Sequence, residues 1–437
     1  MKNISILGLG YIGLPTGILA AQSGLNVYGY DIDKNKLKQI SKGNSTIVEP
    51  EITSRLYEVL KNKKFQVIDE LKDSDCFVIA VPTPFKKNKK NNLADLSFVY
   101  DAAFKIAKVL APGNLIILES TVPVGTTEKI ANFLEKKSGL KLGIDFFVAH
   151  CPERVLPGKI FEELIKNDRV IGAACDKSAE LAKNFYSKFV SGKLYFTDDK
   201  TAEMVKLVEN SYRDVSIAFA NQIADLAQCT KINPFNVISL ANKHPRVNIL
   251  NPGCGVGGHC IAVDPWFLIE AFPKKTNLLK VARKINDEKP EKIIKQTLLQ
   301  IKIFHEEKKR KPNCLILGLT FKPNVDDMRE SPALKIAKKL NRKKIILNLS
   351  VCEPNIATEK IKSLGFEPVV EILDGIKSAD IILVLVKHKE FYLLQKLDLN
   401  KKNVIDTCGL LNNHLRAKSN LHLNFKEYLD TKVEFNT

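Results

Sequence analysis

Ile4-Ser5-Ile6-Leu7-Gly8-Leu9-Gly10-Tyr11-Ile12-Gly13 sets the fold of the chain's first part. An apolar run, Ile4–Leu7, enters three spaced glycines, a helical stretch follows, and Asp31 ends the next β-rich run, 18 residues beyond Gly13. Strand, glycines, helix, strand and acid in that order predict a βαβ unit that binds a dinucleotide. Gly8 allows the tight turn, Gly10 lets the backbone approach a pyrophosphate, and Gly13 lets helix and strand pack closely. The helix N-terminus adds unpaired N–H groups and the positive end of its dipole. Asp31 is placed to accept from both ribose hydroxyls and to repel a 2′-phosphate, which predicts NAD rather than NADP.

Outward from this unit, β-rich runs alternate with helical stretches to about residue 200. The expected strands are Ile4–Leu7, Val27–Tyr30, Phe77–Val81, Leu115–Leu118 and Phe146–Ala149. Such alternation predicts a parallel sheet covered by helices. From 201 to 300 the pattern is helical. Ala202 to Thr230 has neither proline nor glycine and carries Met204, Val205, Val208, Tyr212, Val215, Phe219, Ile223 and Leu226 at helical spacing. A helix of that length, about 40 Å, links two domains or packs on a partner subunit. Alternation returns after residue 313 with Cys314–Leu317, Leu347–Val351, Ile381–Val386 and Val404–Ile405. The first of these runs ends in Gly318 and the second is followed by Glu353, the outline of a second, degenerate nucleotide-binding fold. The expected fold class is α/β: two Rossmann-like domains joined by a central helical domain with a long linking helix. The expected domains are an NAD-binding Rossmann domain (1–200), a helical dimerisation domain (201–300) and a UDP-sugar-binding Rossmann-like domain (301–437). The charged run Glu306–Lys311 reads as an exposed connection and Lys86–Lys90 as a solvated loop.

Composition narrows the class. The chain has 437 residues, 45% hydrophobic and 27% charged, which is globular. Its net charge of +18 suits an anionic partner, but the lysines are spread along the whole chain. No helix-turn-helix, zinc finger or aromatic-basic motif accompanies them, so no nucleic-acid partner is expected. Nine cysteines, an odd number with no CxxC pair, predict neither a disulfide framework nor a metal site. No apolar run is long enough to span a membrane. A cytoplasmic location with no membrane partner is expected.

Three further segments carry chemistry. Gly255-Val256-Gly257-Gly258-His259-Cys260 precedes Asp264. A cysteine behind glycines has backbone N–H groups nearby and little steric cover, both useful to a nucleophile, although buried cysteines are equally common. Lys206 and Asn210 share one helix face, where they could stabilise an oxyanion or simply be solvated. Gly318-Leu319-Thr320-Phe321-Lys322-Pro323, followed by Asp326, Asp327 and Arg329, is a loop suited to an anionic ligand such as a diphosphate.

Taken together, seven segments resemble the UDP-glucose/GDP-mannose dehydrogenase family, in the family's order and across residues 2–410. They are GLGYIGLP (8–15), AVPTP (80–84), ESTVPVGTT (119–127), CPERVLPG (151–158), EMVKLVEN (203–210), GVGGHCIAVDPWF (255–267) and GLTFKPNVDDMRESPAL (318–334). HPRVNIL (244–250) resembles the branch acting on UDP-N-acetylhexosamines. ENSYRDVSIAFAN (209–221) and LIKNDRVIG (164–172) point within it to UDP-N-acetyl-D-mannosamine, with the N-acetylglucosamine and N-acetylgalactosamine epimers as alternatives. Val263 stands where the UDP-glucose branch usually has lysine.

The resemblance implies a four-electron oxidation of the sugar C6 alcohol by two NAD, for surface polysaccharide biosynthesis. It assigns Cys260 as nucleophile, Lys206 and Asn210 to oxyanion stabilisation and water positioning, Glu153 as acid/base, Asp264 to orienting the water or the cysteine's surroundings, and Thr121 to the loop where NAD meets sugar. NAD contacts are implied for Gly8, Gly10, Tyr11, Ile12, Gly13, Asp31, Lys36, Pro82, Thr83, Ser120, Thr121 and Arg329. Sugar-nucleotide contacts are implied for Glu153, Arg154, Val155, Lys206, Asn210, Gly257, His259, Phe321 and Lys322. Lys322 takes the diphosphate, and His259 lines the pocket without serving as the base. Arg246 is implied to reach the partner's site in a homodimer built on the long helix. Three positions depart from the family pattern: Gln222 replaces a common acid, Cys254 a common proline, and Cys408 a basic residue after Asp406-Thr407. A nucleotide-binding regulator without chemistry would lack a catalytic residue, and none is missing.

Overall fold

A computed structural model describes residues 1–411 apart from 46, 48, 87–92, 157, 259 and 344. His259 and most of the lysine run 86–90 lie outside the described residues. The chain forms two compact units: Met1–Ser211 with Val263–Thr276, and Tyr212–Ala262 with Asn277 onward.

The first unit holds eight strands: β1 (Asn3–Leu7), β2 (Asn26–Tyr30), β3 (Phe65–Ile68), β4 (Cys76–Ile79), β5 (Leu115–Leu118), β6 (Phe147–His150), β7 (Arg169–Ala173) and β8 (Leu194–Thr197). They line up in the order β3-β2-β1-β4-β5-β6-β7-β8. Helices cover both faces, so the central strands are apolar throughout. Cys76 and Val78 of β4 enter the core on one face, Phe77 and Ile79 the core on the other. β3, β7 and β8 were not anticipated; β3 and β8 are four-residue strands, the first mixing exposed and buried positions and the second with none fully buried.

An all-parallel sheet was expected, and one pair departs from it. β7 runs antiparallel to β6, pairing Ala149 with Ala173 and His150 with Gly172. The seven-residue helix Ile160–Lys166 lies in the connection between them. Continuing this register sets Arg169 opposite Glu153.

The second unit's sheet is fully parallel, in the order β10-β9-β11-β12: β9 (Asn313–Leu317), β10 (Asn348–Cys352), β11 (Ile381–Val384) and β12 (Asn403–Asp406). Each falls on an expected run. The long helix spans Asp199–Cys229, and a second, Asn277–Lys308, continues through Pro290. Glu306–Lys311 is exposed as expected, but its first three residues complete that second helix.

The long helix turns small and polar residues inward, among them Ala202, Glu203, Ser211, Asp214 and Asn221, while Val208, Tyr212, Phe219 and Leu226 stay exposed. Within the second unit polar pairs join the two helices. Arg283 Nη1 donates to Asp214 Oδ1 at 2.6 Å, and Lys289 Nζ to Asp225 at 2.5 Å. Asn286 Nδ2 donates to Asp214 and Asn221 Nδ2 to Asn286.

Candidate active site

In the first unit the strand order reverses between β1 and β4, and a doubly wound sheet binds ligands outside the carboxyl ends of its strands at that reversal. The Gly8–Gly13 loop follows β1 there. Gly8 has φ +96°, and a Cβ on it would lie 2.6 Å from the Ala80 carbonyl oxygen that follows β4. A Cβ on Gly13 would strike the Gly8 oxygen, whereas one on Gly10 would meet nothing within 4 Å. The backbone at Gly10 is therefore open to an incoming group at the start of the Gly13–Gln22 helix. Asp31 Oδ2 accepts from the Leu9 N–H at 2.9 Å and from Lys36 Nζ at 2.8 Å, and Oδ1 accepts from the Asp33 N–H. This open loop backbone and its acid fit a dinucleotide.

Two neighbouring loops are stitched to each other. Thr83 Oγ1 donates to the Thr121 carbonyl at 2.7 Å, and Ser120 Oγ to the Val81 carbonyl at 2.7 Å. Pro82 between them is exposed. Glu203, from the long helix, accepts from the Gly125 N–H and from the N–H and hydroxyl of Thr127. It thereby caps the Thr126–Ser138 helix and ties the Thr121 loop to the helix that carries Lys206 and Asn210. Burial raises the Glu203 carboxyl, against those hydrogen bonds.

Asn210 Nδ2 donates to Asp264 Oδ2 at 2.5 Å. Asp264 begins the Asp264–Ala271 helix and is buried. Burial pushes its carboxyl up to about 6, with the Lys206 charge and the Asn210 bond pulling the other way. Asn210 and Asp264 are thus in contact, with Lys206 near enough for its charge to act on Asp264. Glu153 is buried as well: Oε2 accepts from Arg169 Nη2 at 2.8 Å and Oε1 from the Arg154 N–H at 2.6 Å. The Arg154 guanidinium pairs with Glu209 on the long helix at 2.8 Å, and Val155 packs on the sheet core.

In the second unit the cysteine loop is wedged by its glycines. Gly253 N–H donates to Asn221 Oδ1. Pro290 has no N–H for the Asn286 carbonyl, and a Cβ on Gly255 would stand 3.1 Å from that oxygen and 3.3 Å from the Pro290 ring. A Cβ on Gly257 would lie 2.5 Å from the Glu330 oxygen, and one on Gly258 (φ +84°) would lie 2.9 Å from the Phe321 ring. Gly258 N–H donates to the Arg329 carbonyl at 3.1 Å. The loop ending in Cys260 therefore rests on the Phe321–Pro332 segment, two motifs far apart in sequence. Cys260 and Lys322 are half-buried, Lys322 Nζ lies 5.9 Å from the Phe321 ring centre, and Arg329 pairs with Asp327 at 2.6 Å. Arg246 is exposed. At the departures, burial pushes Cys254 up to about 12 and holds Cys408 well above the ordinary thiol range, so both are protonated structural cysteines.

Reading the sequence missed Tyr186 and His388, and gave Glu119, Arg169 and Glu203 no role although all three stand inside quoted motifs. Arg169 also opens an apolar strand, and nothing local marks Tyr186 or His388.

Profiles of the UDP-glucose/GDP-mannose dehydrogenase family match in series: its NAD binding domain at residues 2–190, its central domain at 200–288 and its UDP binding domain at 315–413. A UDP-N-acetyl-D-mannosamine dehydrogenase of Campylobacter jejuni is 45% identical over 93% of this chain and 99% of its own. An NDP-N-acetyl-D-galactosaminuronic acid dehydrogenase of Ralstonia nicotianae is 42% identical over 94% and 96%. The solved UDP-N-acetylmannosamine dehydrogenase of Pyrococcus horikoshii superposes with a TM-score of 0.84 at 40% identity, covering 94% of this chain and 96% of that one. The chain belongs to the UDP-glucose/GDP-mannose dehydrogenase family and is an NAD-dependent nucleotide-sugar dehydrogenase. None of its described helices is long and apolar enough to cross a membrane.

Proposed function

We propose that this chain oxidises C6 of UDP-N-acetyl-D-mannosamine to the uronate, supplying a precursor for a surface polysaccharide. The observation that carries the reading is the Gly255–Cys260 loop seated on the Phe321–Pro332 segment. It joins a nucleophile to a diphosphate-binding loop within one unit. The mannosamine dehydrogenases at 40–45% identity support that substrate. The Ralstonia relative at 42% favours the galactosamine epimer as the second reading.

NAD, when bound, supplies the hydride acceptor for both oxidations. The Cys260 thiolate adds to the aldehyde left by the first oxidation. The sugar stays bound as a thiohemiacetal and, after the second oxidation, as a thioester. Lys206 and Asn210 donate to the oxyanion at each tetrahedral stage, and Asp264 holds the Asn210 carboxamide in place. Glu153 takes the proton of the water that cleaves the thioester, releasing carboxylate and thiol. Phe321 and Lys322 hold the uridine diphosphate, Arg329 reaches the NAD pyrophosphate, and the exposed face Val208, Tyr212, Phe219 and Leu226 pairs two copies, with Arg246 completing the partner's site.

The test is NADH formation with each UDP-N-acetylhexosamine and with UDP-glucose. The expected result is two NADH per UDP-N-acetylmannosamine, with Cys260→Ala forming no acid while still binding NAD. Turnover restricted to another epimer overturns the substrate, and acid formation by Cys260→Ala overturns the thioester route.

A further inference from the structure

We propose that Arg169 makes the buried Glu119 and Glu153 share one negative charge, the proton staying on Glu119 while Glu153 faces Arg169 as the carboxylate. Its bearing on turnover rests on the reading of Glu153 as the base of thioester hydrolysis.

The geometry is one cation between two buried carboxyls. Arg169 Nη2 lies 2.8 Å from Glu153, and Nη1 lies 4.0 Å from Glu119. The three side chains are 4%, 7% and 0% exposed. Were both carboxyls ionised, the cluster would bury an uncompensated negative charge, which is costly. One proton therefore stays on the pair.

The partners decide which carboxyl keeps it. Glu153 receives two direct N–H donors, from Arg169 and from the Arg154 backbone. Glu119 stands 4.0 Å from Arg169 and is otherwise met by neutral hydroxyl donors, Tyr186 at 2.8 Å and Thr16 at 3.4 Å. The proton belongs on Glu119. Burial pushes its carboxyl up to about 7, the Arg169 charge pulling it down and the Glu153 charge pushing it further up.

No other charge on the packed elements intrudes. Cys151 Sγ sits 3.7 Å from Arg169 Nη1, and burial pushes its thiol up to about 11. The Tyr186 ring lies under the guanidinium at 4.7 Å, and burial holds its phenol well above the ordinary range. Burial also holds Cys76 on β4 high and pushes the adjoining His150 down to about 3, so both are neutral. Thr16 belongs to the Gly13–Gln22 helix of the dinucleotide loop and carries no charge. No proton passes between the carboxyls.

The proposal is tested first in the free enzyme, by infrared titration of the protonated carboxyl band. A band with its midpoint near pH 7 is expected, absent in Glu119→Gln and shifted at least one pH unit lower in Glu153→Gln, where the like charge is gone. A band that Glu119→Gln leaves in place, or a midpoint that Glu153→Gln leaves unmoved, overturns the shared charge.

If the midpoint shifts in Glu153→Gln but that variant still releases uronate at the parent rate, the charge sharing stands and the role given to Glu153 falls.

Unfolding gives a further control. A carboxyl raised in the folded state binds a proton that the unfolded chain has released. Stability therefore falls as pH rises from about 4.5 to about 7. Glu119→Gln removes that slope; an unchanged slope overturns the assignment of the proton to Glu119.

Discussion

The two parallel sheets open alike and diverge at the acid. β1 ends in Gly8 (φ +96°) and β9 in Gly318 (φ +92°). In each, an acid following the neighbouring strand accepts from the loop backbone: Asp31 from Leu9 N–H, Glu353 from Leu319 and Thr320 N–H. Past that point they differ. After Gly8 the helix begins at Gly13, and Asp31 is roofed by Lys36, itself 26% exposed. After Gly318 the next helix waits until Pro332, and Glu353 is sealed by the fully buried His388 at 3.2 Å. His388 Nδ1 accepts from the Asn324 N–H at 3.0 Å, so the imidazole pins the loop that carries Phe321 and Lys322. One frame thus serves two ends. A short loop leaves helix N–H groups and an acid for a ligand, while a long loop needs the same acid as its own support.

The sharpest way to break the comparison is Glu353→Ala. It leaves the Leu319, Thr320 and Asn355 N–H groups without their carboxylate and takes one partner from the buried imidazole, and should cost about 3 kcal/mol at pH 7, read from urea unfolding. Burial alone would raise the Glu353 carboxyl, but the His388 and N–H bonds hold it below its ordinary value. That stabilisation is present above about pH 4.5 and is lost as pH falls through the depressed folded value, so the penalty should shrink in acid. A penalty near zero at pH 7 would make Glu353 no more structural than Asp31.

Asp31→Ala should act on ligand rather than fold. KM for NAD should rise about 30-fold, roughly 2 kcal/mol, and the preference over NADP should narrow, both read from initial rates. An unchanged KM would remove Asp31 from the ribose. The smallest effect belongs to Lys36→Ala. A part-exposed pair contributes about 0–1 kcal/mol, so KM for NAD should change less than about fivefold. A larger change would show Lys36 contacting the cofactor directly.

Much of this was written locally. The strand-glycine-helix-acid order placed the first loop and its acid, because turn geometry and apolar runs are short-range properties. The four runs after residue 313 fell where β9 to β12 stand, because strands buried on both faces must be apolar throughout. The pairing of Lys206, Asn210 and Asp264 was reached through the resemblance alone, since helical spacing places only the first two.

The sequence by itself determined the two nucleotide-binding frames, the long helix, and the loops bearing Cys260 and Lys322. Only the tertiary structure decided what the buried charges do. The antiparallel direction of β7 brings Arg169 opposite Glu153, and no local pattern in the sequence announces it. The long helix could not be oriented from its pattern either. Its small and polar residues face inward because neighbouring elements supply partners for Glu203, Asp214 and Asn221. Hydrophobic periodicity records which residues avoid water. It does not record where a distant arginine or amide will stand, and that is what lets a carboxylate be buried.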